Sequence, residues 1–244
     1  MNPDETKFGF QTVKQAEKAK RVGEVFDSVS RNYDLMNNLM SLGLHNAWKK
    51  TLIDTSSLKA KAKILDIAAG TADLTLAFAK ANKDYEILQT DINHSMLMEG
   101  QKKLINSGVI IPAITCDAEA LPFADNYFDC VTIAFGLRNM TKKENALREV
   151  YRVLSPGGKV LILEFSHIYQ PFQKLYDAFS FKFIPILGKL FAKDELSYRY
   201  LVESIRVHPS QEKLKEMMEA EAFEKVSYTN MSAGIVAIHK GYKF

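Results

Sequence analysis

From residue 62 onward the chain alternates short apolar runs with stretches of helical spacing, and this alternation narrows the folds open to it. The runs 63–67, 86–91, 109–115, 128–135 and 159–165 read as strands, and 74–80, 96–105 and 142–154 as helices. Strands separated by single helices need crossover connections, so the pattern predicts a parallel sheet in an α/β fold. The tail extends it with a helix over 210–222 and two runs, 223–229 and 234–239, close enough to pair as a hairpin. Ahead of the alternation, 12–60 reads as helical: Val13, Ala16, Ala19, Val22, Val25 and Phe26 recur at helical spacing.

Composition excludes several alternatives. A hydrophobic share of 47% with 25% charged residues is that of an ordinary globular chain. No stretch longer than 14 residues lacks Asp, Glu, Lys and Arg, whereas a spanning helix needs about 20 apolar residues. The first residues carry no basic segment followed by an apolar core, which argues against a secretory signal. Cys116 and Cys130 are too few for a disulfide scaffold or a four-ligand zinc site. The expectation is a soluble, cytoplasmic protein. A net charge of +3, with basic residues only in pairs or short clusters, gives no stripe for a phosphate backbone, so no nucleic-acid partner is expected.

Segment 167–205 interrupts the alternation and holds nine of the chain's 26 aromatic residues. Phe172, Leu175, Tyr176, Phe179 and Phe183 share one helical face, Pro185 ends the run, and Lys174, Lys182, Lys189 and Lys193 edge it against Asp177. Such a face either packs on the core or forms an apolar, lysine-edged lid at a membrane surface.

In open parallel sheets, ligands sit beyond the carboxyl ends of the strands. The first such turn reads Asp66-Ile67-Ala68-Ala69-Gly70-Thr71-Ala72-Asp73. Small residues let a ligand approach the backbone, and the helix start favours negative charge. It is not the G-x-G-x-x-G of a pyrophosphate cradle, since only Gly70 is glycine. Asp91 ends the second strand, where a carboxylate accepts both hydroxyls of a ribose or caps the next helix. Asp117 ends the third; with the backbone N–H of Ala118 it suits the edge of an adenine. A nucleoside held without a phosphate cradle suggests S-adenosylmethionine rather than NAD.

Further stretches complete a pattern: Phe8-Gly9-Phe10, Val25-Phe26 through Tyr33-Asp34-Leu35-Met36-Asn37, Gly43-Leu44-His45, and Phe135-Gly136-Leu137-Arg138-Asn139. Arg152-Val153-Leu154-Ser155-Pro156-Gly157-Gly158, Leu163-Glu164-Phe165-Ser166, Ser197-Tyr198-Arg199-Tyr200-Leu201 and Glu203-Ser204-Ile205-Arg206 follow. In these the chain resembles, over nearly its whole length, the ubiquinone/menaquinone biosynthesis C-methyltransferases. The Phe-Gly-Leu-Arg-Asn and Ser-Tyr-Arg-Tyr-Leu segments are the most specific.

The resemblance implies a Rossmann-like class I methyltransferase: one domain over 1–244, with a mostly parallel seven-stranded sheet and helices on both faces. An N-terminal helical cap (1–60), a cofactor core (61–166), an acceptor-side aromatic insertion (167–205) and a C-terminal helix and hairpin (206–244) would divide it. It implies methyl transfer from S-adenosylmethionine to a ring carbon of a polyprenyl quinol, without metal. Asp66, Gly70, Thr71, Asp91, Asp117 and Ala118 would bind the cofactor. Arg138 would stabilise a phenolate, Asn139 orient the ring, and Asp34 assist, with His45 and Tyr198 in reserve. Weak peripheral membrane contact is expected, and a homodimer or biosynthetic complex stays open. Two other readings are a methyltransferase for another lipid-like acceptor and a non-catalytic cofactor-binding partner. The sequence departs from the family turn, usually Gly-Gly-Thr-Gly-Asp, at Ala69 and Ala72, and Ala222 replaces another usual glycine.

Overall fold

The computed structural model describes residues 4–29, 37–38, 41, 43–171 and 195–244. Asp34 and the aromatic face at 172–183 lie outside the described residues. The chain opens on a hairpin, β1 (Glu5–Phe8) with β2 (Gln11–Lys14), followed by α1 (Gln15–Val29) and α2 (Leu44–Ser56). Then come β3 (Lys63–Ile67), α3 (Asp73–Ala81), β4 (Glu86–Asp91), α4 (His94–Asn106), β5 (Ala113–Thr115) and β6 (Phe128–Ala134). A 3-10 turn at Leu137–Asn139 leads to α5 (Lys143–Val153) and β7 (Leu154–Phe165). The last elements are α6 (Glu195–Val207), α7 (Gln211–Ala220), β8 (Glu224–Met231) and β9 (Val236–Tyr242).

The main sheet has seven strands in the order β5-β4-β3-β6-β7-β9-β8. The first five are parallel, and β9 pairs antiparallel with both β7 and β8. Both faces are covered, which is why the strands read as largely apolar runs, with Asp66, Gln89, Thr90 and Thr132 as buried polar exceptions. Leu65, Val131 and Ile162 face α5 and α7 with Leu147, Val150, Leu214 and Met218. Ile64, Cys130 and Leu161 face Trp48 and Leu52 of α2 and Phe78 of α3. The mostly parallel α/β architecture is the expected one.

Two local expectations change. Residues 11–14 are strand rather than helix: Val13 is buried between exposed Thr12 and Lys14, a period of two that a four-residue element barely displays. The strand expected over 109–115 forms only at Ala113–Thr115, because Pro112 has no N–H to give the ladder; its carbonyl accepts from Gln89 N at 3.1 Å instead.

Candidate functional site

Between β3 and β6 the strand order reverses, and the carboxyl ends there open on a cleft of about 320 Å³. Gly70, Asp91, Asp117, Ala118 and Asn139 all line it. Its outer wall comes from α1, through Ala16, Ala19, Val22, Gly23 and Phe26. The sequence presents these only as the apolar stripe of an amphipathic helix, so their place on the cleft was not legible. Asn93 ties this wall to the sheet by donating from Nδ2 to Asp27 Oδ1 at 3.0 Å, while its Oδ1 caps α4 at Met96 N.

The floor is the turn after β3. Ala68, Gly70 and Ala72 have positive φ, of 53°, 54° and 62°. Of the two alanines that replace family glycines, Ala72 adopts the left-handed conformation; Ala69 does not. Gly136, after β6, passes so close that a Cβ there would lie 2.5 Å from Ala68 Cβ. Only glycine lets these two strand ends meet.

Asp91 accepts from Gly70 N (2.9 Å) and Asn93 N (2.8 Å). Burial raises its carboxyl above the usual carboxylate range, and these N–H groups offset part of the rise. Asp117 accepts from Glu119 N at 2.8 Å. Each carboxylate is thus fixed by backbone donors and keeps acceptor capacity for a ligand. Ile92, Met96, Cys116, Ala118 and Met140 supply flat apolar walls between them. Two acceptors flanking an apolar slot fit the ribose and adenine of an adenosyl group and would repel a phosphate chain.

Asp66 and Thr71 take other places. Asp66 is 1% exposed below the turn, with Thr75 Oγ1 donating to it at 2.6 Å and Thr132 Oγ1 at 2.7 Å. Burial raises its pKa to about 6, against the pull of the two hydroxyls. It braces β3, α3 and β6 beneath the cleft. Thr71 lines a smaller space beside it with Lys49 and Asp73. There Asp73 pairs with Lys49 at 2.5 Å and also with Lys103. Burial pushes Asp73 upward, but the two ammonium groups hold it below its ordinary value.

Arg138 also differs from expectation. It does not line the cleft; its Nη1 donates to Glu164 Oε1 at 2.9 Å and to Phe135 O, and its backbone N donates to Glu164 Oε2 at 3.2 Å. Asn139 does line the cleft, with Oδ1 accepting from Tyr200 Oη at 3.0 Å. Tyr200 stacks on Phe8 at 4.3 Å between ring centroids, so the N-terminal hairpin supports this pair. Tyr198, the tyrosine expected in reserve, is 2% exposed in the core. His45 sits beside Arg138 rather than in the cleft, with Nδ1 2.9 Å from Ser41 Oγ. Glu164 and Tyr200 are the residues that sequence reasoning missed. The signal for Glu164 was a lone carboxylate closing an apolar strand.

The sequence model of the ubiE/COQ5 methyltransferase family matches residues 13–243. The ubiquinone/menaquinone biosynthesis C-methyltransferase UbiE of Neisseria meningitidis serogroup C is 57% identical over 245 residues, with 100% of both chains covered. Its counterpart of the same name in Burkholderia mallei is 58% identical over 240 residues, covering 98% of this chain and 99% of its own. Among solved structures, a SAM-dependent methyltransferase from Aquifex aeolicus superposes with a TM-score of 0.62 at 13% identity, covering 86% of this chain and 98% of that one. At that identity the likeness concerns the fold alone.

Proposed function

The chain belongs to the ubiE/COQ5 methyltransferase family, and on that premise we propose that it methylates a ring carbon of a prenylated benzoquinol, a demethylmenaquinol or both, in ubiquinone and menaquinone biosynthesis. The observation that carries the reading is the cleft itself: Asp91 and Asp117 across an apolar slot, with Asn139 at its side.

S-adenosylmethionine bound there supplies a sulfonium methyl group, an electrophile that needs no further activation. Asp91 would accept the ribose hydroxyls, while Asp117 and the N–H of Ala118 would meet the adenine edge. Gly70 lets the backbone approach, and Thr71 and Asp66 hold the turn from beside and below. The α1 wall excludes water, and fixing both reactants in line contributes several kcal/mol to the rate. A phenol has a pKa near 10, and its ring carbon becomes nucleophilic as the proton leaves. That carbon takes the methyl group as the sulfonium becomes a neutral thioether. The ring hydrogen then leaves as a proton and the oxygen is reprotonated, so one proton passes to solvent overall. With Oδ1 engaged by Tyr200, Asn139 has its Nδ2 donor for the acceptor's ring oxygen. Arg138 acts through this residue, as the buried post that holds the loop, rather than on the ring. Asp34 stays a candidate from sequence. No Lewis acid is required, so turnover survives exhaustive chelation.

The prenylated acceptor resides in a membrane. Among the described residues no helix is long and apolar enough to cross one. The aromatic, lysine-edged sequence of 167–193 supports weak, salt-sensitive contact at its surface; flotation with anionic liposomes, comparing the parent with Lys182→Glu, tests this.

The function is tested by incubating the protein with methyl-labelled cofactor and, separately, a demethylated benzoquinol, a demethylated naphthoquinol and a phenolic lipid, each with and without EDTA. Label in at least one quinol, unaffected by EDTA, is expected. Label in the phenolic lipid alone contradicts the substrate class, and loss with EDTA contradicts the metal-free chemistry.

A further inference from the structure

A second cavity, of about 300 Å³, lies across segment 138–141 from the cofactor cleft: Asn139 and Met140 line the cleft, Arg138 the second cavity, and Thr141 both. Its walls carry Lys7, Lys18, Arg138, Lys143, His208 and Lys213, with Glu144 exposed among them. Lys18 Nζ and Lys143 Nζ donate to the same atom, Met140 O, at 2.8 and 3.4 Å. No described carboxylate lies within ion-pair distance of either ammonium. Two of the nearby acids are engaged elsewhere, and the third, Glu144, is exposed on the wall. Glu119 Oε1 accepts from Thr141 N (2.7 Å) and Lys142 N (2.8 Å), and Glu164 is paired with Arg138.

Two further groups on the cavity are unsatisfied. Arg138 Nε and His208 Nδ1 are both buried without a hydrogen-bond partner among the described residues. Buried polar groups are ordinarily paired, and here two lysine side chains share one neutral oxygen. Burial and the charge of Lys143 pull Lys18 down to about 7, although Glu119 opposes this. Burial lowers Lys143 too, against Glu144, Glu164 and Glu119.

We propose that this cavity is an anion site that takes a phosphate group, with Lys18 and Lys143 as its main ligands and Arg138 and His208 as further contacts. A carboxylate, with one charge, would hold only one of the two lysines protonated. A phosphate dianion balances both and offers acceptors in several directions. The same chemistry is available from free phosphate or diphosphate and from the headgroup of an anionic phospholipid.

The test is titration calorimetry of the full chain with inorganic phosphate and with diphosphate at pH 8, in two buffers of different ionisation enthalpy. Co-sedimentation with phosphatidylcholine vesicles, with and without phosphatidylglycerol, runs beside it. Lys18→Gln and Lys143→Gln are compared with the parent, and affinity for S-adenosylhomocysteine verifies that each is folded. One saturable site is expected, weakened about tenfold or more by either substitution. Proton uptake on binding, as Lys18 becomes charged, should vanish in Lys18→Gln. Lysine-dependent binding of the soluble anions alone identifies a free ligand; lysine-dependent sedimentation with phosphatidylglycerol identifies a headgroup. If Lys143→Gln does not fold, Lys18→Gln decides. Absence of saturable binding by every probe, or binding that neither substitution weakens, overturns the proposal.

Discussion

The guanidinium of Arg138 and the carboxylate of Glu164 meet at 2.9 Å with side chains only 4% and 2% exposed. The same carboxylate also accepts from Arg138 N at 3.2 Å and from Phe165 N at 2.9 Å. One buried acid at the end of β7 therefore fixes the loop that presents Asn139 to the cleft.

Removing one partner of a buried pair leaves an uncompensated charge, at a cost of about 3–5 kcal/mol. Glu164→Ala should destabilise the protein by that amount in urea denaturation. The double variant Arg138→Met with Glu164→Leu should recover most of the stability while turnover stays low, because Asn139 is no longer held. Full turnover in the double variant would contradict the positioning role.

Asp91→Ala should weaken binding of S-adenosylhomocysteine by roughly 10–150-fold, since charge-assisted hydrogen bonds contribute about 1.5–3 kcal/mol. Calorimetry reads this directly. An unchanged affinity would place the ribose elsewhere.

Ala72 and Ala222 both hold positive φ, 62° and 69°. A left-handed conformation costs a non-glycine residue about 1–2 kcal/mol. Ala222 is exposed, so Ala222→Gly should stabilise the protein by about 1 kcal/mol. Ala72 is 0% exposed; Ala72→Gly also removes a buried methyl worth about 0.8 kcal/mol, so its net effect should be near zero. Thermal denaturation of the two variants distinguishes these outcomes.

Asp66 has a pKa raised from 3.8 to about 6 by burial. Below the lower value both folded and unfolded chains hold the proton. Between the two values the unfolded chain releases it first, so this carboxyl lowers stability as pH rises from about 4 to about 6. The difference of about 2 units corresponds to roughly 3 kcal/mol. The stability of Asp66→Asn relative to the parent should therefore rise by about that amount between pH 4 and pH 7. Parallel pH profiles for the two proteins in urea would contradict it.

How much of this was legible depended on how local the cause is. The central strands read plainly because burial on both faces makes them largely apolar, as in Val160-Leu161-Ile162-Leu163. The N-terminal hairpin rests on four-residue strands in which Val13 is the one buried residue of β2, too short for period two to stand out from helical spacing. Motif order placed Asp91 and Asp117 at strand ends, where they line the cleft. It could not say how deep a side chain sits, so Asp66 read like a ligand although two threonine hydroxyls enclose it. Arg138 read as a charge free to act on substrate because its partner, Glu164, is 26 residues away in sequence. The second cavity was invisible for the same reason: Lys18 and Lys143 converge on one carbonyl only after α1 and α5 are brought together.

The central claim is methylation at a ring carbon. Its most direct test is turnover of the demethylated quinols with a trideuteromethyl-labelled cofactor, followed by mass spectrometry and carbon NMR of the product. The account predicts one trideuteromethyl group bonded to a ring carbon in place of a ring hydrogen, with both phenolic oxygens free. Label on an oxygen, or no transfer to either quinol by protein that binds S-adenosylhomocysteine, would contradict it.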